Sequence, residues 1–382
     1  MRVYLDHNAT TQVRPDVIEL MSELMGSVGN ASAVHQHGQS ARRHVDNARR
    51  QVGKTLCARP EDVIFTGGGT EALNLAMASA THAPGVKRVI ISDIEHPAIV
   101  ESARASGLPI DILPVTGEGV VDLAWLEQRM DSWSENDGRP VLSIMLANNE
   151  IGTIQPVADA IALIKQRDGL AIVDAVQSAG KIPVDFAGLG ADYMAIAAHK
   201  FGGPQGVGAL IAACNAPMTR HNHGGGQEQG RRSGTLNVAG NAALGLALEQ
   251  AHAKLAEFAA LAGSRDRMIA AIREANPNVV VLGEGAERLP NTIGLAVPGW
   301  RGETQVMAMD LAGVSISAGA ACSSGKAKAS KMGTALGLDD ALSEGVIRIS
   351  LGWSTTDEDV DAAIKAWTEA WARASKQIKE TA

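Results

Sequence analysis

Between Val63 and Ile211, short β-branched runs alternate with amphipathic stretches, and this alternation limits the possible folds more than any other feature of the chain. The runs include Val63-Ile64-Phe65, Val89-Ile90-Ile91, Val141 to Met145 and Ala171-Ile172-Val173. Between them, Thr70 to Ser79, Leu123 to Met130 and Val157 to Gln166 carry apolar residues at helical spacing. Strands alternating with helices predict an α/β layer built on a largely parallel sheet. Ligands of such sheets bind beyond the carboxyl ends of the strands, so the residues that follow each apolar run are the first candidates for chemistry. Ala239 to Glu274 reads as one long helix leaving this layer. Strand candidates at Val279 to Leu282, Thr292 to Val297 and Val346 to Ser350 then combine with helical Glu303 to Leu311 and a helix from about Asp357 into a smaller α+β unit.

A chain of 382 residues is too long for one compact core, and two domains are expected. No apolar run approaches the length that spans a bilayer, and Arg2 and Asp6 interrupt the N-terminus before a signal sequence can form, which predicts a cytoplasmic protein with no membrane partner. The net charge of -8 is spread along the chain, and no Lys/Arg cluster offers a surface for nucleic acid. The three cysteines, Cys57, Cys214 and Cys322, form no Cys-x-x-Cys pair, so neither a disulfide framework nor a metal site is expected. Cys57 and Cys214 read as small buried hydrophobes. Cys322 lies among small and basic residues from Ser317 to Lys331, a composition that predicts a mobile loop in which Lys326 and Lys328 favour the thiolate.

Several residues at strand ends carry chemistry. Gly67-Gly68-Gly69-Thr70 separates a strand from a helix, where backbone N–H groups suit either a phosphate or a plain capped turn. Asp174 ends one apolar run, with Gln177 three residues on, and His199-Lys200 ends the next, Tyr193 to Ala198. An acid and a lysine at neighbouring strand ends match the demand of pyridoxal 5'-phosphate (PLP) chemistry for a Schiff-base lysine and a carboxylate on the ring nitrogen. Glu95-His96 and Asn148-Asn149 close two further strands; a histidine there can stack on a ring and move protons, and an amide can donate to a ring oxygen.

Taken in order, Leu5-Asp-His-Asn-Ala-Thr-Thr, Gly69-Thr70-Glu71, Glu95-His96, Asn148-Asn-Glu-Ile-Gly, Asp174-Ala-Val-Gln177, His199-Lys200, Gly234-Thr235 and Ser317-Ala-Gly-Ala-Ala-Cys322 resemble cysteine desulfurases of the NifS/IscS type, within the class V aminotransferases. The resemblance implies PLP fold type I, with a large domain near residues 15–255 holding a mainly parallel seven-stranded sheet. A small α+β domain would comprise 1–14 and 256–382, and the protein would be a homodimer. It implies PLP contacts by Gly69, Thr70, Asn149, Asp174, Gln177, His199 and Lys200, stacking by His96, and a phosphate contact by Thr235 reaching into the partner subunit. Arg348, with Asn149, would hold the carboxylate of L-cysteine. The implied reaction converts L-cysteine to L-alanine, with Lys200 or His96 moving the α-proton and Cys322 taking sulfur as a persulfide. An acceptor such as an iron-sulfur scaffold would then receive it. A selenocysteine lyase, another PLP-dependent lyase or aminotransferase, and a non-catalytic dimeric assembly partner are the alternative readings. Three positions depart from the family: Ala197 replaces a phosphate-binding Ser, Trp353 stands where many relatives carry Arg, and Lys326-Ala-Lys-Ala-Ser330 replaces an acidic loop segment.

Overall fold

The computed structural model describes residues 2–220, 222–319 and 330–381. Seven strands form the large sheet, in the order Val63–Thr66, Gly208–Ala212, Tyr193–Ala197, Leu170–Asp174, Arg139–Met145, Val86–Ser92 and Ile110–Leu113. All run the same way except Gly208–Ala212, which is antiparallel to both neighbours. Side chains alternate between the two faces, as the pleat requires. Phe65, Ile90, Leu142, Val173 and Ile196 point into one core, whereas Ile64, Val89, Val141, Ile172 and Tyr193 point into the other. Burial on both faces explains why these strands read as continuous apolar runs.

Helices cover the sheet. Val238–Ala253 lies against Gln36–Thr55 with Gly245 at the closest approach, where a Cβ would fall 2.7 Å from Ala48 Cα. The single helix expected over Ala239 to Glu274 is instead two, Val238–Ala253 and Leu255–Ala275, because Lys254 leaves helical geometry at φ -107° and ψ 19°. Helical periodicity continues through that break, so the sequence pattern does not reveal it. Cys57 and Cys214, expected to be buried, are exposed. Cys57 takes a left-handed φ of 54° just past the end of Gln36–Thr55, and Cys214 lies two residues beyond the end of its strand, so neither belongs to a buried face.

A four-stranded antiparallel sheet, in the order Ser317–Ala318, Val346–Ser350, Thr292–Ala296 and Val280–Val281, has its own core of Leu295, Ile347, Trp300 and Trp367. The N-terminal strand Val3–Tyr4 pairs with Val314–Ser315 beside it, and Val3 and Leu5 enter that core. A bridging cluster of Ile94, Met145, Ile151, Leu282 and Met332 joins the two sheets. No helix of the described residues is long and apolar enough to cross a membrane. Trp367 is fully buried, with ring centroids 5.7 Å from Trp300 and 6.2 Å from Trp371. Trp367→Ala is therefore expected to cost about 3–5 kcal/mol, measurable as an earlier urea-unfolding transition.

Candidate active site

The carboxyl ends of the parallel strands open into a cavity of about 640 Å³ closed on its far side by the antiparallel sheet. Gly69, Thr70, His96, Asn149, Asp174, Gln177, His199, Lys200 and Arg348 all line it. Thr235 does not line it and is exposed. Cys322 lies outside the described residues, between Gly319 and Lys331, which both line the cavity.

Asp174 and Lys200 come from adjacent strands, with Asp174 paired to Ala195 five residues before the lysine. The Asp174 carboxylate accepts the Val176 N–H at 2.9 Å, yet burial pushes its pKa up to about 6, with Lys200 only partly opposing the shift. Lys200 Nζ donates to the carbonyl oxygens of Asn8 and Ala9 at 2.6 and 2.8 Å. His96 caps helix Pro97–Ala105, its Nδ1 accepting the Ala98 N–H, so the ring carries its proton on Nε2. Burial, Lys200 and Lys331 lower its pKa, and burial next to Lys200 and Lys181 lowers that of His199 to about 4. Both rings are therefore neutral near pH 7.

The glycine loop precedes helix Gly69–Thr81, whose first-turn amides lack helical partners. Gly68 has a φ of 150°, a conformation suited to glycine, and a Cβ on Gly69 would lie 2.9 Å from Val176 Cγ2 and 3.3 Å from Ala197 Cβ. The Ala197 methyl thus faces the loop where a serine would offer a hydroxyl. Asn148 is the turn-former of its pair: its Oδ1 accepts the N–H groups of Glu150 and Ile151, which leaves Asn149 on the cavity wall. Arg348 is buried, donates to Asn149 O at 3.0 Å and Asp6 Oδ1 at 2.6 Å, and keeps a buried Nε without a hydrogen-bond partner.

Three further groups line the cavity, Asn8, Glu95 and Glu150, and Lys181 is buried behind it. Asn8, Glu95 and Glu150 lie within the family-like motifs, the one signal that points to them, whereas Lys181 lies in none. Glu95 Oε1 accepts the Met145 N–H at 2.7 Å while Oε2 has no partner. Burial and then Asp174 push this carboxyl up to about 8, against the Met145 amide, Lys331 and Ser92. An acid with a raised folded-state pKa stabilises the fold least above that value, since the unfolded chain ionises first. Without cofactor, Glu95→Gln is expected to match wild type at pH 4 and to gain up to about 5 kcal/mol by pH 9, with the difference growing between about 4.5 and 8 in thermal melts.

The pairing of a buried acid with a lysine at adjacent parallel strand ends, facing a glycine loop, is the architecture of PLP fold type I enzymes. The aminotransferase class-V profile matches residues 3–363. An IscS-like cysteine desulfurase of Mycobacterium tuberculosis is 37% identical over 98% of this chain and 97% of its own length. A cysteine desulfurase IscS of Dictyoglomus turgidum is 38% identical over 94% and 92%. The solved structure of a NifS-like protein superposes with a TM-score of 0.90 at 34% identity, covering 98% of this chain and all of that one. The chain belongs to the aminotransferase class-V family. Among its relatives it sits with those of the IscS and NifS kind.

Proposed function

We propose that the protein is a PLP-dependent cysteine desulfurase that moves the sulfur of L-cysteine onto Cys322 and leaves L-alanine. The observation that carries this reading is the single cavity shared by Asp174, Lys200 and Arg348. The residues fit PLP: the cation of a protonated ring nitrogen would offset the burial that raises the Asp174 pKa, and the first-turn amides of helix Gly69–Thr81 with the Thr70 hydroxyl, on the cavity wall, suit a phosphate. His199, Gln177 and Asn149 are the remaining contacts from this chain, and Lys200 is the attachment point. The exposed Thr235 would serve the phosphate of a second copy, in a homodimer. When bound, PLP supplies an electron sink that weakens the α-C–H and C–S bonds of the substrate.

The chain's own residues do the rest. Arg348, which lines the cavity and is fixed by Asn149 O and Asp6, would hold the substrate carboxylate with the N–H groups of its planar guanidinium that face the cavity. The Lys200 amine would move the α-proton, while neutral His96 would lie against the ring, able to carry a proton only where its Nδ1 gives up the Ala98 N–H. The Cys322 thiolate would attack the substrate sulfur, forming an S–S bond as the Cβ–S bond breaks with its electron pair left on carbon, which is protonated to give the methyl of L-alanine. The outer sulfur of the persulfide would then pass to an acceptor thiol, such as that of an iron-sulfur scaffold. Both relatives are named cysteine desulfurases, and the family resemblance extends to the Cys322 motif.

With PLP added, the protein should absorb near 400 nm and lose that band in Lys200→Ala. Cys322→Ala should keep the band but lower sulfide release from cysteine about a thousandfold. Unchanged sulfide release in Cys322→Ala would instead point to a lyase or aminotransferase that does not use the thiol. Ala197 removes one phosphate donor, so Ala197→Ser should tighten PLP about tenfold, as read by equilibrium dialysis, in line with one charge-assisted hydrogen bond of about 1–3 kcal/mol.

A further inference from the structure

Behind the cavity lies a buried amine for which the reaction has no evident use. Lys181 is 3% exposed, and its Nζ donates to Asn8 Oδ1 at 2.8 Å and Gln177 Oε1 at 2.6 Å. Burial, Lys200 and Arg348 hold its pKa well below the ordinary lysine range, and His7 and His199 are the titratable neighbours that feel it in turn.

Its two bonds settle the orientation of two amides. With its oxygen toward Lys181, Gln177 must direct its NH2 elsewhere, and Nε2 donates to Asn8 O at 2.9 Å. Asn8 Oδ1 also accepts from Asn291 Nδ2 at 3.1 Å, so Asn8 Nδ2 faces the other way and donates to Thr292 Oγ1 at 2.8 Å and Asn149 O at 3.2 Å. The two carbonyls reached in this way also hold the cations of the site. Asn8 O accepts from Lys200 at 2.6 Å, and Asn149 O accepts from Arg348 at 3.0 Å. The backbone N–H of Asn8 is bound by Ser350 Oγ at 2.9 Å, two residues from Arg348 on the same strand.

We infer that Asn8, oriented by Lys181, is a positioning residue that sets both the Lys200 amine and the Arg348 fork for the substrate. The inference rests on the PLP reading above. A side chain on a residue 1% exposed that joins the N-terminal segment, two turns beyond strands of the large sheet and the small sheet ties the separation of the two cations to the packing of both sheets. Relaxing it should loosen Arg348, raising KM, and should also move the protonation midpoint of the Lys200-linked chromophore.

The test compares PLP-loaded wild type with Asn8→Ala and Lys181→Met. Expected are a KM for L-cysteine raised about tenfold and a kcat/KM lowered by about ten to a hundredfold, the scale of a misplaced reacting group. The pH midpoint of the 400 nm band should shift by about half a unit. Variants that melt earlier but keep the wild-type midpoint and KM would show a purely structural role and overturn the inference. Should Asn8→Ala fail to fold, Lys181→Met alone decides, since the inference requires it to move both readouts. A wild-type protein that forms no band with PLP would instead overturn the cofactor reading itself.

Discussion

The active cavity depends on keeping acids in a region too dry to favour their charge. Asp174, Glu95 and Glu150 all line it, and burial raises the pKa of each, to about 6, 8 and 7. A protein accepts such a cost where the surrounding structure is rigid enough to impose it, and functional sites are where it is usually found. Here the rigidity comes from a parallel sheet buried on both faces. The Asp174 carboxyl is held at the end of a strand whose neighbour runs into the turn Ala198–Lys200, so Asp174 cannot retreat into water without breaking sheet register.

The opposite wall is made differently. Arg348 lies in the middle of an antiparallel strand, paired with Gly294 on one side and Ser317 on the other. A Cβ on Gly294 would fall 2.8 Å from Ile151 Cγ2, so this sheet sits directly on the turn that follows a strand of the large sheet. Asp6, from the N-terminal segment, neutralises one edge of the guanidinium. An arginine pinned by a carboxylate and a carbonyl keeps a fixed plane, and a fixed plane is what a two-point grip on a carboxylate requires.

How much of this the sequence disclosed follows from the range of each signal. Period-two and apolar-run patterns are local, so the strands at Val63, Val89, Val141 and Ala171 and the layer they form were legible, as were the strand-end Asp174 and Lys200. The break at Lys254 was not, because helical spacing resumes immediately after it. Cys57 and Cys214 looked like core residues because composition near an apolar run says little about where that run turns to the surface. Lys181 was missed for a related reason: a lysine after a glycine reads as a solvated loop charge, and only the fold reveals that Asn8, far away in sequence, meets it in the interior. Buried polar contacts between distant segments leave no periodic trace.

The departures from the family pattern also become unequal once placed in the fold. Trp353 lines a small void behind Lys200, not the cavity, and its Nε1 donates to Gln12 O at 2.9 Å. Arg14 lies over its ring, with Cζ 4.9 Å from the centroid, and donates through Nε to Phe201 O, beside Lys200. A cation therefore still stands at this place, supplied by Arg14 and covered by an aromatic face, an attraction that burial strengthens. Ala197 has no such substitute, since its methyl occupies the wall next to Gly69. Of the two departures among the described residues, Trp353 alters the support of the site and Ala197 alters the surface a ligand would touch, so the cost in cofactor affinity should fall on Ala197.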